Sequence, residues 1–539
     1  MMHDFTPRKV YIAASWMGPV GRYTSQDRGA LSFLEMAESC GQVFIGSSVR
    51  RRHIEAVVVG SQNPAAFSGV DNTAAKIAGI MGISGVKSIL IDTASSSGAS
   101  AFENAYLEVA SGRHEHVLAI GIQKMSDRTT LEATRIIAGV IDRDEAEYGL
   151  TMPACGALVA GALQRRLGLT DLEWSAYSAL LTQRSHRFAS LNNAAHLRYE
   201  LPVEQYFRQV LSGENYRYWS PLRYHDFCPM SDGVAAVILT ALPQQVMVAG
   251  VGSATDIPTI ADRRYFHSFP ATVTAAGYAY GMAGLHNLDP LEGKMHVNMH
   301  DPFNGFGPIN LVDLGVVSRA RLFDALLDDQ LTGPDGRFPT NLTGGLKGRG
   351  HPLGATGLIQ VVENHRLIVE SGFAAGLSHS IGGPINNNVV ILLEDADHYQ
   401  GRRHEPYRPW GLPSLGQPKP KGVTVDSLLA ETGRCNGTFV CATVRYHHKT
   451  GSPEQVLVII SCLYNGQRYR FLFGLDGSCA PEISGLNAGE QVVLERRAGD
   501  LLLNRLPVQR FYQRTLQGVR ELAETGWSRL RHGGKPASE

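Results

Sequence analysis

The chain has 539 residues, 43% hydrophobic and 19% charged, with 50 Lys plus Arg balanced by 50 Asp plus Glu. That length predicts two to four folding units at roughly 100–200 residues each, and the hydrophobic share suits a large buried core. The charge balance gives no long-range pull toward nucleic acid or an anionic membrane, so an anionic ligand has to be held by a local cluster.

The seven cysteines, Cys40, Cys155, Cys228, Cys435, Cys441, Cys462 and Cys479, are odd in number and form no C-x-x-C pair. Neither a disulfide framework nor a zinc ribbon is expected, and a reducing cytoplasm fits best. Met1-Met2-His3-Asp4 has no apolar stretch behind a basic flank, so no signal peptide is expected. No run of about 18 apolar residues predicts a membrane span. Pro536-Ala537-Ser538-Glu539 matches no peroxisomal address.

In chain order, residues 9–15 read as a short buried strand, 30–49 as a helix, 54–60 as a strand and 72–81 as a helix. The strand 86–91 leads into Asp92-Thr93-Ala94-Ser95-Ser96-Ser97-Gly98, and a helix over 99–112 leads out. A further strand is predicted at 116–121. Strands alternating with helices predict an α/β fold with helices on both sheet faces. Residues 127–232 break the rhythm and read as a helical and loop insertion, before Asp232–Leu239 returns to a strand.

From Val246 the order of elements resembles the first half. A strand over 246–251, a helix over 271–282, a strand over 296–299 and a helix over 309–327 are predicted. Helix 355–369 follows a glycine-dense turn, and a strand over 388–393 closes the half. The expected division is 1–245 for the first half and 246–397 for the second. A Pro- and Arg-rich stretch, 398–421, reads as a stiff linker. Residues 422–507 read as a small β-rich barrel, with Asn465-Gly466 as a hairpin turn. A helix and tail are predicted over 508–539.

The serine turn is the first candidate site. Backbone N–H groups at a helix start are unpaired and carry partial positive charge. Such a turn holds either a nucleophile and the anion its chemistry creates or a simple N-cap, which Ser and Thr favour. Three histidine-bearing turns, at His300, His351 and His379, lie at strand ends or helix starts. In sheet proteins those ends gather at one edge, where ligand sites form.

These turns carry a family resemblance over residues 8–396. Gly344-Gly345-Leu346-Lys347-Gly348-Arg349-Gly350-His351-Pro352-Leu353-Gly354-Ala355-Thr356-Gly357 resembles the G-H-P-x-G-[AS]-[ST]-G turn of the thiolase superfamily. His300-Asp301-Pro302-Phe303 is similar to the H-D-x-F turn of its sterol-carrier-protein branch. Met230-Ser231-Asp232-Gly233-Val234-Ala235-Ala236 resembles the family's D-G-A-A-A strand, and Ser380-Ile381-Gly382-Gly383 takes the C-x-G-G position. The resemblance implies a duplicated five-layer α-β-α-β-α sandwich, a homodimer, and an acyl-CoA thioester as substrate with no further cofactor; with no cysteines for a zinc ribbon, no metal is expected.

The departures bear on chemistry. The family's nucleophile turn reads C-x-[ST]-G, and here that position is Ser95; the second cysteine position is Ser380. A thiol near pKa 8.5 is readily lowered by a helix start or a nearby His, whereas a serine hydroxyl needs a base in contact. By resemblance His351 is that base. One oxyanion site would be the N–H groups of Ser95 and Gly382, and the other His351 with a water held by His300. Arg184, Arg187, Arg198, Arg217 and Arg223 are candidates for the CoA phosphates, or else a solvated basic face. The C-terminal barrel resembles the OB-fold proteins that accompany thiolases, and no nucleic-acid partner is expected of it. The expected function is acyl-CoA-dependent acyl transfer or condensation in lipid metabolism. A retro-aldol or decarboxylating lyase on a β-hydroxy- or β-ketoacyl-CoA, and a non-catalytic acyl-CoA-binding subunit, are the alternatives.

Overall fold

The computed structural model describes residues 7–24, 28–399, 402, 419–420, 422–430, 433–497 and 500–509. The first half begins with β1 (Tyr11–Met17), α1 (Phe33–Ser39), β2 (Ala56–Gly60), α2 (Thr73–Ile80), β3 (Lys87–Ile91), α3 (Ser97–Ala110) and β4 (His116–Gln123). The insertion holds α4 (Met152–Leu167), α5 (Asp171–Ser190) and α6 (Val203–Ser212). It also holds a short hairpin that the sequence reading missed, β5 (Arg217–Trp219) and β6 (Leu222–Arg223). The hairpin was hidden because its two strands are three and two residues long, too short for any period to show. β7 (Gly233–Thr240) closes the half.

The second half follows as β8 (Val246–Thr255), α7 (Pro270–Met282), β9 (Met295–Asn298), α8 (Phe306–Asp313), α9 (Thr356–Ser371), β10 (Ala375–Gly382) and β11 (Asn387–Asp395). The helix expected over 309–327 is shorter than predicted. It ends at Asp313, and Gly315 at φ 72° turns the chain out of it.

One sheet runs β3-β2-β4-β7-β1-β8-β11-β10-β9. Its two halves meet at a single register pair, Tyr11 with Met247. β2 is parallel to β3 and β4, and β9 is parallel to β10, so these strands need helical crossovers and are buried on both faces. The Val57–Val59 run in β2 reflects that burial.

The helices sort into three layers. α3 and α9 pack against each other and against both half-sheets, in a core that includes Ala99, Phe102, Leu358, Val362 and Val389. α1 and α2 cover the outer face of the first half, and α7 with α8 covers the second. This is the five-layered arrangement expected from the sequence.

The C-terminal unit is a closed antiparallel barrel. β12 (Arg434–Tyr446), β13 (Pro453–Tyr464), β14 (Gln467–Asp476), β17 (Leu506–Gln509), β16 (Asp500–Leu503) and β15 (Gln491–Arg497) pair in that order, and β15 returns to β12. It fits the OB-like unit predicted. Asn465 and Gly466 both take positive φ, as a two-residue hairpin turn needs. Val508, expected to begin a helix, lies in β17; residues 510–539, and most of the 398–421 linker, lie outside the described residues.

The barrel is packed onto the sandwich rather than tethered beside it. On β13, Val456, Val458 and Ile460 fill the barrel core while Leu457 and Ile459 join the core around α4, the two-residue alternation of a strand buried on both faces. The hairpin extends the barrel sheet through Trp219 opposite Arg445. Thr443 Oγ1 donates to the Ser220 carbonyl at 2.8 Å, and Gln455 Nε2 to that of Tyr148 at 3.2 Å.

α3 and α9 approach so closely that a Cβ on Gly98 would lie 2.6 Å from the Gly354 carbonyl oxygen. We expect Gly98→Ala to cost about 2–3 kcal/mol or more, because backbone has to move. Gly79→Ala, exposed in α2 with nothing near its added carbon, should gain about 0.5–1 kcal/mol. Urea unfolding of both variants checks the pair; equal effects would contradict the packing described.

Candidate active site

The serine turn is tied by its own side chains. Asp92 Oδ1 accepts the Ala94 N–H at 3.0 Å and Oδ2 that of Asn63 at 2.9 Å. Ser97 Oγ accepts the Thr93 N–H at 3.0 Å, and Ser96 Oγ donates to the Thr93 carbonyl at 2.8 Å. Ala94 sits at φ 58°, a left-handed conformation that costs a residue with a Cβ roughly 1 kcal/mol or more. α3 starts at Ser97 with Ser96 at its N-cap and no side-chain cap. The N-cap alternative therefore fails for the whole turn: Ser96 and Ser97 brace it, and neither caps the helix. The remaining hydroxyl, Ser95, is half-exposed and makes no hydrogen bond among the described residues.

Gly382 closes over this turn from the end of β10. A Cβ there would lie 2.0 Å from the Thr93 carbonyl oxygen and 2.4 Å from Ser96 Oγ. Only a residue without a side chain lets the two turns touch. Two residues earlier, the Ser380 hydroxyl is buried with no partner among the described residues.

The two histidine turns converge. His300 and His351 are buried, with ring centroids 4.9 Å apart and planes at 88°. His351 Nδ1 shares a hydrogen bond of 2.8 Å with Thr356 Oγ1, and its N–H donates to Ser231 Oγ at 3.2 Å. The second contact fixes it beside Met230, its bridge partner at the start of the Asp232 strand. Asn310 Nδ2 donates to the His300 carbonyl at 2.6 Å, while His300 Nδ1 is buried without a partner among the described residues. Asp301 Oδ1 accepts the Leu346 N–H at 2.7 Å and so pins the glycine-dense turn to the His300 turn.

Burial decides the charge state. His351 is pushed down to about 3, first by desolvation and then by the Arg349 guanidinium. His300 is held well below the ordinary imidazole range by burial and by the neighbouring His351, His379 and Arg349. Both rings are therefore neutral at pH 7, and a neutral ring offers one donor and one acceptor nitrogen. With Nδ1 of His351 donating to Thr356, Nε2 is a base; with the other tautomer, Nε2 is a donor to an oxyanion.

His379 lies close enough to bear on His300, and its Nδ1 is buried without a partner among the described residues. It lies within β10 and bonds through Nε2 to Thr272 Oγ1 at 3.3 Å and Asn388 Oδ1 at 3.4 Å.

Sequence reasoning missed the supports. Arg349 and Glu363 form a buried ion pair at 2.5 Å, and Asn298 Nδ2 donates to the same Glu363 oxygen at 2.5 Å. Glu363 carried no clear signal, since it opens the polar run Glu363-Asn364-His365-Arg366 of α9. Asp232 was read only as part of a strand motif. Its carboxylate accepts the N–H groups of Met125, Ser126 and Tyr23 at 2.6, 2.9 and 2.8 Å, which shapes the loop after β4.

The five candidate arginines are not one cluster. Arg184 is tied down by Asp329 at 3.2 Å and by the Thr332 and Thr340 carbonyls. Arg187 and Arg198 are exposed. Arg217 and Arg223 sit on the β5–β6 hairpin and line a separate cleft against the barrel. Among the described residues no three His, Cys, Asp or Glu side chains gather as a metal site, and no helix is long and apolar enough to cross a membrane.

Comparison with known proteins adds the following. Residues 10–205 match the thiolase N-terminal domain, and residues 252–395 match the thiolase C-terminal domain-like family. The chain is 32% identical over 383 residues to an acetyl-CoA acetyltransferase of Methanothermobacter thermautotrophicus, covering 67% of this chain and 94% of that protein. It is 24% identical over 284 residues to the 17-hydroxy-3-oxo-4-pregnene-20-carboxyl-CoA lyase of Mycobacterium tuberculosis, covering 49% and 70%. A monomeric SCP2-thiolase-like protein type 1 from Mycobacterium smegmatis superposes with a TM-score of 0.65 at 18% identity. That match covers 92% of this chain and 99% of the other, a likeness of fold.

The depressed His351 pKa makes stability depend on pH. Because the folded value lies below the unfolded one, the unfolded chain gains the proton first as pH falls through about 6.5, and stability drops. Full burial of a neutral His351 should cost about 1.4 kcal/mol between pH 7.5 and pH 5.5. His351→Gln removes that penalty, so the wild type should lose about that much more than the variant over this range in urea unfolding. Equal losses would contradict the assignment.

Proposed function

The chain belongs to the thiolase superfamily, and on that premise we propose that it transfers acyl groups from acyl-CoA, with Ser95 as acyl acceptor and His351 as base. The observation that carries this reading is the joint arrangement of the unbonded Ser95 hydroxyl, Gly382 against its turn, and the neutral His300–His351 pair. No metal or further cofactor enters this proposal; the CoA thioester is the substrate.

In the proposed reaction, Ser95 Oγ attacks the thioester carbonyl carbon and its proton passes to His351 Nε2. The carbonyl oxygen becomes an oxyanion, held by the Ser95 and Gly382 N–H groups. The intermediate collapses, the C–S bond breaks, and the CoA thiolate takes the proton back from His351. An acyl ester on Ser95 remains, to be passed to an acceptor. A base held at about 3 in the free protein takes a proton only as negative charge develops beside it, so acylation is expected to be slow compared with a thiol nucleophile. His300, with an unpartnered ring nitrogen, is the proposed holder of the water that completes the second oxyanion site. Ser380 stands where a second acid or base is needed.

One observation favours a second reading. Two neutral imidazoles at van der Waals distance can stabilise an enolate without any nucleophile, and the Ser95 hydroxyl is bonded to neither. A retro-aldol cleavage of a β-hydroxyacyl-CoA needs no more than that.

We further propose assembly as a homodimer through β3. This is one of the two edge strands of the sheet, its side chains are otherwise half-exposed, and Leu90 is exposed. Sedimentation should give a dimer that Leu90→Asp dissociates; a wild-type monomer would contradict this.

Intact-protein mass spectrometry after exposure to acetyl-CoA and longer acyl-CoAs tests the main reading. The expected result is one acyl adduct per chain, absent in Ser95→Ala, with turnover lowered about 100-fold or more in His351→Gln. No adduct, together with aldehyde or ketone release that Ser95→Ala retains, would replace it with the lyase reading.

A further inference from the structure

The turn that joins β10 to β11 begins at Gly382 and is built against the preferences of its own sequence. Gly383 stands at φ 60° and Ile385 at φ 68°. The first position needs glycine, since a Cβ there would meet Asn386 Oδ1 at 2.2 Å. The second does not suit isoleucine, because a β-branched side chain crowds the backbone in the left-handed region. A residue strained in this way persists only where its surroundings hold it. The Ile385 N–H donates to the Gly383 carbonyl at 2.8 Å across Pro384. The Ile385 carbonyl accepts from Asn388 Nδ2 at 3.1 Å and from Arg263 Nη1 at 3.4 Å. The next carbonyl, that of Asn386, accepts the Asp256 N–H at 2.9 Å.

Arg263 and Asp256 belong to one connection, residues 256–264 between β8 and α7. Arg263 is buried; its Nη2 donates to the Ile257 carbonyl at 2.9 Å, and its Nε has no partner among the described residues. Both guanidinium bonds go to backbone carbonyls rather than to a carboxylate, so the group is placed to hold chain. The other side of the same connection carries the barrel. Arg470 Nη1, on β14, donates to the Arg263 carbonyl, and to that of Arg264 at 3.4 Å. Lys419 Nζ pairs with Asp262 Oδ1 at 2.5 Å. The Glu145 carboxylate steadies the middle of the connection, accepting the N–H groups of Ile260 and Ala261 at 2.8 and 2.7 Å. The barrel therefore reaches the Gly382 turn through Arg263, whose carbonyl is held by Arg470 and whose guanidinium holds Ile385.

We infer that the barrel regulates acyl transfer by this route: docked, it keeps Arg263 on the Ile385 carbonyl and so keeps the Gly382 N–H aimed at the oxyanion. Arg263 is a positioning residue, and Arg470 is the barrel's hold on it. The inference rests on the reading above in which the Gly382 N–H serves the acyl-transfer oxyanion. Without the Arg263 donor, Ile385 relaxes toward negative φ, and Gly382, three residues before it, loses its aim. The negative charge that Gly382 meets develops only as the reaction proceeds, so the loss falls on kcat and leaves substrate binding almost untouched.

The test combines hydrogen exchange and steady-state kinetics on the full chain. Arg470 is half-buried, so Arg470→Ala removes the barrel's hold without opening a core, which an unchanged thermal transition checks. The Ile385 and Asp256 amides, both hydrogen-bonded in the structure, should exchange about tenfold faster in this variant, with the β13 amides unchanged. With acetyl-CoA or a longer acyl-CoA as donor, kcat should fall about tenfold while KM stays within about twofold. Arg470→Lys, which still donates to the carbonyl, should restore most of both. Arg263→Met, where it folds, should give the same split more strongly. Unchanged exchange at Ile385 in Arg470→Ala, or faster exchange with kcat unchanged, overturns the proposal, as does a loss confined to KM. If the wild type transfers no acyl group while Arg470→Ala still loosens the turn, acyl transfer fails and the link from barrel to turn stands.

Discussion

The close approach of two backbones, at the start of α3 and the start of α9, is the constraint on which the rest of the structure depends. Gly98 lies against Gly354, and Gly357 lies against Ala99, at distances that no Cβ tolerates. The same contact sets the spacing of the sandwich, because these two helices form its middle layer and touch both half-sheets. It also places the serine turn, which begins α3, beside the His351 turn, which begins α9. Fold and site are therefore fixed by one packing event. Gly382 brings in the third component, the end of β10, under the same restriction.

What surrounds the site then fixes its protonation. Arg349 is fully buried and its charge is neutralised by Glu363, itself held by Asn298. A buried ion pair of this kind contributes little net stability, but removing either member strands the other charge at a cost of several kcal/mol. Its positive end lies near enough to His351, His300 and Asp301 to bias all three. Burial is the largest effect on each, raising Asp301 to about 7 and lowering both imidazoles. A neutral pair of rings in a dry setting is suited to hydrogen-bonding an oxyanion, and is a base only in the presence of charge that the reaction itself creates.

Much of this was legible in the sequence, for physical reasons. Apolar runs such as Ala56–Val59 and Val389–Leu393, short and rich in β-branched residues, read as strands buried on both faces, and the sheet contains both. The turns at Ser95, His300 and His351 were legible because glycine and histidine occur there at helix starts and strand ends, where chemistry collects. The reading lost accuracy where elements are short or where the partner is distant in sequence. The β5–β6 hairpin has no period to detect, and its meaning comes from β12, more than 200 residues later. Arg349 and Glu363 are each ordinary in the sequence, and only the fold shows that they are fully desolvated together. The five arginines read as one basic cluster because they are near in sequence, yet the insertion carries them to different surfaces.

The barrel changes what the sandwich can do, since its docked face closes the insertion and builds a cleft that neither unit has alone. What the sandwich itself does turns on Ser95. The most direct measurement is a crystal structure with a non-hydrolysable acyl-CoA analogue. Acyl transfer through Ser95 requires its Oγ within about 3 Å of a His351 nitrogen, the reach of a general base, with the acyl carbonyl oxygen on the Ser95 and Gly382 N–H groups. An acyl group bound with its carbonyl on the histidine pair and Ser95 turned away from His351 would contradict it.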